Sequence, residues 1–323
     1  MSFINGTNVI DSSLVPYFPE ELEVYQNAVK VAKFFFSNIY PAIFVMGCLS
    51  NLLIIIYFVK FNSRNLKKIS LYHFLIINLA IADLCASAGV FNNPYNYLWE
   101  LGEFTCIFLS PFITSACPMV SCWLLVLISF VRFRSIVYPL RERINKKRCG
   151  LCILIIWIIF YVLFFVLYFA ISKSDFRANE SINIINSSVT HTLDTFLPLA
   201  IMLLLYNKMK KRLNIEANGN SFALTDQSRQ RNRRALRTIK GLILLFIVTV
   251  IPIRVYSVFK LVFANYVQKS RPLFFVMGKT VITLSGPLTM PLFYMNFIVN
   301  IFIYAKMIPD FRRFLLAVFT FGM

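Results

Sequence analysis

Leu127-Ile-Ser-Phe-Val-Arg-Phe-Arg-Ser-Ile-Val-Tyr-Pro-Leu140 ends a long apolar run on a guanidinium, Arg132. An arginine buried without a partner at membrane depth is costly, and one at the boundary with a cytosolic loop is too shallow to conduct anything. The placement reads as part of a switch facing another protein. The rest of the chain repeats the apolar pattern. Runs long enough to cross a bilayer, about 20 residues each, occupy roughly 34–59, 71–95, 107–131, 149–172, 190–207, 241–264 and 280–305. Pro287 and Pro291 interrupt the last run, so its start lies near 280 or nearer 270.

Composition points the same way: 58% of the 323 residues are apolar and 16% aromatic, with a mean hydropathy of +0.69, beyond what a soluble domain of this length carries. The expected fold is an all-α membrane protein, a seven-transmembrane helix bundle with a short amphipathic eighth helix. Residues 1–31 are expected to form an extracellular N-terminal segment, 32–305 the bundle, and 306–323 a cytosolic amphipathic helix and short tail. The polar, acidic start shows no cleavable leader pattern, so the first span is expected to act as its own insertion signal.

Charge sets the orientation. Of 33 Lys and Arg residues, 24 fall in 60–68, 132–148, 208–240 and 306–313, the connections after spans one, three and five and the final tail. The positive-inside rule makes these cytosolic and the N-terminus extracellular. The +19 balance is thereby accounted for without a nucleic-acid partner. The sequons at Asn5, Asn179 and Asn186 all fall on the outer side, where glycosylation occurs. Most of the seven cysteines lie inside spans, where they pack as small hydrophobes. His73 and His191 are far apart, so no zinc site is expected.

Several motifs, taken in order, resemble those of the rhodopsin-like (class A) G-protein-coupled receptor family. Gly47-Cys-Leu-Ser-Asn51 is similar to its first-span signature and Asn78-Leu-Ala-Ile-Ala-Asp83 to its second. Trp99-Glu-Leu-Gly102 with Cys106 resembles the first outer loop and the start of span three, and Trp157 the tryptophan of span four. Pro198 with Tyr206, Phe246 with Pro252, and Asn296, Asn300 and Tyr304 resemble spans five, six and seven. Asp310-Phe-Arg-Arg-Phe314 resembles the membrane-lying eighth helix. Each motif is weak alone; their order over roughly 35–318 is what carries the resemblance.

The residues also argue for a switch on their own. Asp83 is an acid in mid-span, expensive unless partnered. Asn296 and Asn300, four apart, share a helix face, and Asn51 and Ser121 complete a polar cluster. Oxygen donors suit a hard cation, and the resemblance implies sodium at Asp83, Ser121, Asn296 and Asn300; a hydrogen-bonded core without an ion is the other reading. No further cofactor is required. Pro198 and Pro252 each remove a backbone bond and bend their helices, with Phe246 beside the second hinge. Such a bend would let the inner end of span six swing outward and expose Arg132, Tyr206 and Tyr304 to a heterotrimeric G protein. Interfacial anchoring is the alternative for the two tyrosines. Asp194 and Arg254 are expected to approach one another across spans five and six, as an ion pair or with Arg254 offered to an acidic ligand. Thr114, Cys117, Pro118, Met290 and Tyr294 are pocket residues by family position only.

Departures from the family are expected to matter. The acid before the switch arginine is Val131, the tyrosine after it is Phe133, and Asn232 stands near where an acid pairs with that arginine. Val250 replaces the toggle tryptophan and Ile301 the proline after Asn300. With no cysteine in 153–323, Cys106 has no partner in the second outer loop. A loosely held resting state with raised basal activity follows. The expected function is a plasma-membrane receptor, not an enzyme, that relays an unidentified extracellular ligand to a G protein and contacts membrane lipids. The alternatives are a non-signalling or constitutively active heptahelical protein, or a transporter.

Overall fold

The computed structural model describes residues 19–61, 70–88, 115–138, 144–172, 188–217, 226–263 and 272–320. Asn5, Asn179, Asn186, Cys106 and Thr114 lie outside them. In a hydrocarbon setting each segment must satisfy its own backbone polar groups, and helices do so internally. The described residues are accordingly almost all helical, without strands. Their order is α1 (Pro19–Phe34), α2 (Tyr40–Ile56), α3 (Leu71–Ala88), α4 (Cys117–Val137), α5 (Lys146–Ser172), α6 (Leu197–Ala217), α7 (Asp226–Val262), α8 (Pro272–Ile298), α9 (Asn300–Met307) and α10 (Pro309–Thr320). Seven helical stretches are long and apolar enough to cross a membrane: Pro19–Lys60, Leu71–Ala88, Cys117–Val137, Lys146–Val166, Ser188–Ile215, Asn232–Val262 and Val276–Met307.

Prolines shape three of these spans in one way. A proline offers no N–H to the carbonyl four residues back. The residue before it reaches one residue further instead, and a π-turn results. Tyr40, before Pro41, donates to the Phe35 carbonyl, and Leu197, before Pro198, to the Thr192 carbonyl. A short π segment at Ser115–Ala116 likewise precedes Pro118. Each turn rotates the residues beside it relative to a regular helix. Pro252, Pro287 and Pro291 instead lie within helix that continues through them.

The first span is longer than its apolar run, because the segment from Pro19 is already helical and leads through the π-turn at Phe35–Ile39 into α2. Ala28 and Ala32, one turn apart and buried, belong to α1, which packs on α8. The seventh span takes the earlier of its two expected starts, at Pro272. It breaks at Val299, whose carbonyl accepts from both Phe302 (3.0 Å) and Ile303 (3.3 Å). An extended corner at Ile308 then turns the chain into α10. Phe311 of α10 is fully buried against Tyr57 and Phe58 (ring centroids 4.9 and 6.1 Å). Arg312 and Arg313 on the same helix stay exposed, an arrangement suited to a membrane surface.

The spans form a ring around α4, which packs on α3, α5, α6 and α7, while α8 closes the ring against α2 and α1. Helix α5 sits at the edge, packed chiefly on α4, and turns Leu151, Leu154, Ile155, Ile158 and Ile159 outward. The α2–α3 seam is set by Gly47: a Cβ there would lie 2.8 Å from the Ser87 Cβ. Gly47→Val should therefore destabilise the purified protein by about 1–3 kcal/mol. Adding Ser87→Gly should recover part of the loss in a thermal unfolding measurement.

Candidate functional site

Asp83 is fully buried on α3, and its two oxygens are divided between two other helices. Ser121 of α4 donates to Oδ1, and Asn300 Nδ2 of α9 donates to Oδ2 at 2.6 Å. Asn51 of α2 ties the first span to the seventh, with Nδ2 donating to the carbonyls of Gly47 (2.9 Å) and Phe297 (3.0 Å). Asn296 turns toward the sixth span, where Thr249 Oγ1 donates to its Oδ1 at 3.4 Å. One polar core thus joins spans one, two, three, six and seven. Among its buried atoms, Asn51 Oδ1 and Asn300 Oδ1 have no hydrogen-bond partner among the described residues. Unsatisfied carbonyl oxygens are costly in a dry interior, and that of Asn300, whose amide bonds Asp83, fits a hydrated cation.

Toward one end of the bundle, Arg132 lies over a ring face. Its guanidinium carbon is 3.7 Å from the centroid of Tyr72, the second residue of α3. Among the described residues no carboxylate pairs with it. With Val131 in the preceding position, an aromatic face takes up the charge. Tyr72 packs on two clusters, the central one around α4 and the one holding Tyr304, Phe58 and Phe311. Tyr304 is buried, and its hydroxyl lacks a partner among the described residues. Tyr206 is half-buried beside the central cluster. Among the described residues, Tyr72 links Arg132 to the cluster holding Tyr304, while Tyr206 packs on the central cluster.

Toward the other end, spans five and six are clamped. Arg254 Nη2 forms an ion pair with Asp194, Nε donates to Thr195 Oγ1 at 2.9 Å, and Nη1 lies 3.5 Å from His191 Nδ1. Thr195 in turn donates to Asp194 Oδ1 at 2.6 Å. The π-turn at Thr192–Phe196 makes this set possible, since it buries both Asp194 and Thr195, consecutive residues, on one side. Phe293 of α8 stands 5.6 Å from the guanidinium carbon. Trp123 of α4 donates to the Leu193 carbonyl at 2.9 Å and fixes the same turn to the third span.

The remaining sequence candidates fall around these clusters. Cys117 and Pro118 are buried at the start of α4, Cys117 packing with Ala86 and Phe297. Met290 and Tyr294 pack against Tyr40 and Ile43 of the first span, the two tyrosine rings 6.4 Å apart, while Phe293 is the neighbour that faces Arg254. Phe246 is fully buried in the central cluster, one turn from Thr249, and Pro198 is buried just after the π-turn. Sequence reasoning missed Tyr72, Thr195, His191, Thr249 and Phe293. Pro198 was the sequence's only pointer to Thr195, through the π-turn that precedes it in the structure.

Breaking the clamp from either side leaves a buried charge without its partner. Asp194→Ala or Arg254→Ala alone should cost about 3–5 kcal/mol of stability. The double variant should lose less than the sum, and thermal unfolding of all four proteins measures the difference. Strict additivity would mean the pair is not coupled.

Comparison with known proteins accords with this architecture. The family described as 7 transmembrane receptor (rhodopsin family) matches residues 50–304. The chain is similar to "Neuropeptide FF receptor 2" of Mus musculus, 31% identical over 139 residues, covering 41% of this chain and 31% of that protein. It is also similar to "Chemokine XC receptor 1" of Homo sapiens, 26% identical over 208 residues (62% of this chain, 57% of that one). A third relative is "G-protein coupled receptor 183" of Homo sapiens, 26% identical over 255 residues (72% and 68%). The match to the first of these spans less than a third of that receptor's length. A match over most of the bundle nevertheless fixes the class: this multi-pass membrane protein, a receptor and not an enzyme, belongs to the rhodopsin family of 7 transmembrane receptors.

Proposed function

We propose that the chain receives an extracellular ligand at the plasma membrane and activates a heterotrimeric G protein by an outward swing of its sixth span. The distribution of basic residues supports an extracellular N-terminus and a cytosolic Arg132 end. The observation that carries the reading is Arg132 resting on the Tyr72 ring at that end, with no carboxylate partner among the described residues. A cation held by a ring face is restrained by about 0.5–2 kcal/mol, little enough to be released when the spans move. Once released, Arg132, with Tyr206 and Tyr304, lines the cleft offered to the G protein.

Thr249 links the polar core to the sixth span about one turn ahead of the Pro252 bend, so a change in the core reaches the moving element directly. Sodium in that core is part of the proposal. Asp83 and Ser121 would hold it, with Asn296 and Asn300 nearby, and the unsatisfied oxygen of Asn300 favours it. The ion would supply only charge compensation, stabilising the resting packing. At the opposite end, the Arg254 nitrogens already have Asp194, Thr195 and His191, which favours a clamp beneath the ligand cavity over direct capture of an acidic ligand. Thr114, Cys117, Pro118, Met290 and Tyr294 are the proposed cavity residues.

Two measurements test this reading. Arg132→Ala should abolish G-protein activation in cells at matched surface expression, whereas Tyr72→Ala should raise basal activation by about 2- to 30-fold. No activation above background by wild type or Arg132→Ala would identify a non-signalling heptahelical protein instead, and equal activation by both would overturn the role given to Arg132. Sodium at ten times its dissociation constant should stabilise the purified receptor by about 1.4 kcal/mol relative to choline, and Asp83→Asn should remove that dependence. Stabilisation that persists in the variant would exclude the core as the ion's site.

A further inference from the structure

A cleft of about 180 Å³ lies between the Arg132 ends of α4 and α5, lined by Leu127, Phe130, Arg134, Ile144, Arg148, Cys149 and Cys152. Its chemistry is divided along its length. Leu127, Phe130 and Arg134 follow one another at i, i+3 and i+7 on a single face of α4 and end in a guanidinium. Across the gap, Cys152, Cys149 and Arg148 run along the first turns of α5 toward the same end. The cleft therefore has an apolar floor within the membrane and two arginines at its rim. Neither arginine has a carboxylate partner among the described residues.

The cleft also opens sideways. Phe130 of α4 is 40% exposed and Leu151 of α5, beside Cys152, is 56% exposed, and the outward face of α5 is apolar from Leu151 to Val166. A protein of aqueous origin would have to cross acyl chains to reach the floor. A lipid of the surrounding bilayer would enter from the side.

We infer that this cleft holds an anionic phospholipid of the inner leaflet, with an acyl chain against Leu127, Phe130, Cys149 and Cys152 and the phosphate between Arg134 and Arg148. The leaflet assignment rests on the orientation proposed above. Charge complementarity selects the occupant: two guanidiniums at headgroup depth attract acidic lipids more strongly than zwitterionic ones, whose own ammonium offsets the phosphate. Arg134 is two residues from Arg132 and α5 packs chiefly on α4, so a bound lipid braces the end of the span that carries the coupling arginine.

The full-length receptor, in nanodiscs of phosphatidylcholine with a minor share of photoactivatable phosphatidylinositol phosphate (label in the acyl chain), tests the assignment. Crosslinks should map to 127–134 and 148–152, and unlabelled phosphatidylinositol phosphate should compete while phosphatidylcholine does not. One arginine neutralised, Arg134→Gln or Arg148→Gln, should lower labelling about fivefold and both together about thirtyfold. Cys152→Phe, which fills the floor and leaves both charges, should lower it as well, and unchanged unfolding temperatures show that these variants are folded. Labelling equal with a photoactivatable phosphatidylcholine, or unaffected by the charge changes, would overturn the site as ordinary boundary lipid. Full competition by soluble inositol phosphate would overturn the acyl-chain half of the assignment. Antibody access to the C-terminal helix in intact and permeabilised cells reads the orientation separately, so its failure is distinguishable from failure of the cleft.

Discussion

A fully buried carboxylate in the middle of a membrane span must be partnered, and Asp83 is partnered by helices distant in sequence. Ser121 approaches from α4 and Asn300 from α9, with Asn51 and Asn296 extending the contacts to the first and sixth spans. Apolar packing alone does not fix how membrane helices are rotated, because lipid tails are as apolar as leucine. Polar partners do fix it. Moving the third or seventh span past the second requires Asp83 to exchange a hydrogen bond, and moving the sixth past the seventh requires Asn296 to do so, which converts smooth sliding into a choice between discrete arrangements.

The two ends of the bundle relate to this core through backbone irregularities. Toward the Arg254 end, the π-turn before Pro198 presents Asp194 and Thr195 together to Arg254 and binds spans five and six. Pro252 lies two residues from Arg254, so the clamp sits beside the bend of the sixth span. In the seventh span the break at Val299 falls between Asn296 and Asn300 and turns Asn300 toward Asp83 although Ile301 follows it. A family-typical proline is absent there, yet the local geometry that such a residue would serve is present. Toward the Arg132 end, Tyr72 takes over the restraint that a neighbouring acid would supply. The departures at Val131 and Ile301 therefore alter the means and keep the places.

Much of this was legible beforehand, because lone charges and amides in apolar runs are conspicuous. Asp83, Arg132, Asp194 and Arg254 stand out from the sequence for that reason. Hydropathy likewise locates the spans but misjudges their ends. Polar residues continue a helix past the bilayer, as α1 does from Pro19 and α7 from Asp226. What could not be read was side-chain direction near a proline. A π-turn shifts the register by a fraction of a turn, so Thr195 joins the clamp. On α8, which continues through Pro287 and Pro291, Phe293 rather than Tyr294 faces Arg254. Nor was Tyr72 legible, since an aromatic residue at a span end reads equally well as an interfacial anchor.

The central claim is that the Asp83 core governs the position of the Arg132 end of the sixth span. Non-cysteine spin labels at the exposed positions Ser135 on α4 and Lys240 on α7 would report that separation by pulsed electron resonance in nanodiscs. The account predicts two distance populations whose ratio shifts toward the longer one in Asp83→Asn. A single population, identical in both proteins, would contradict it.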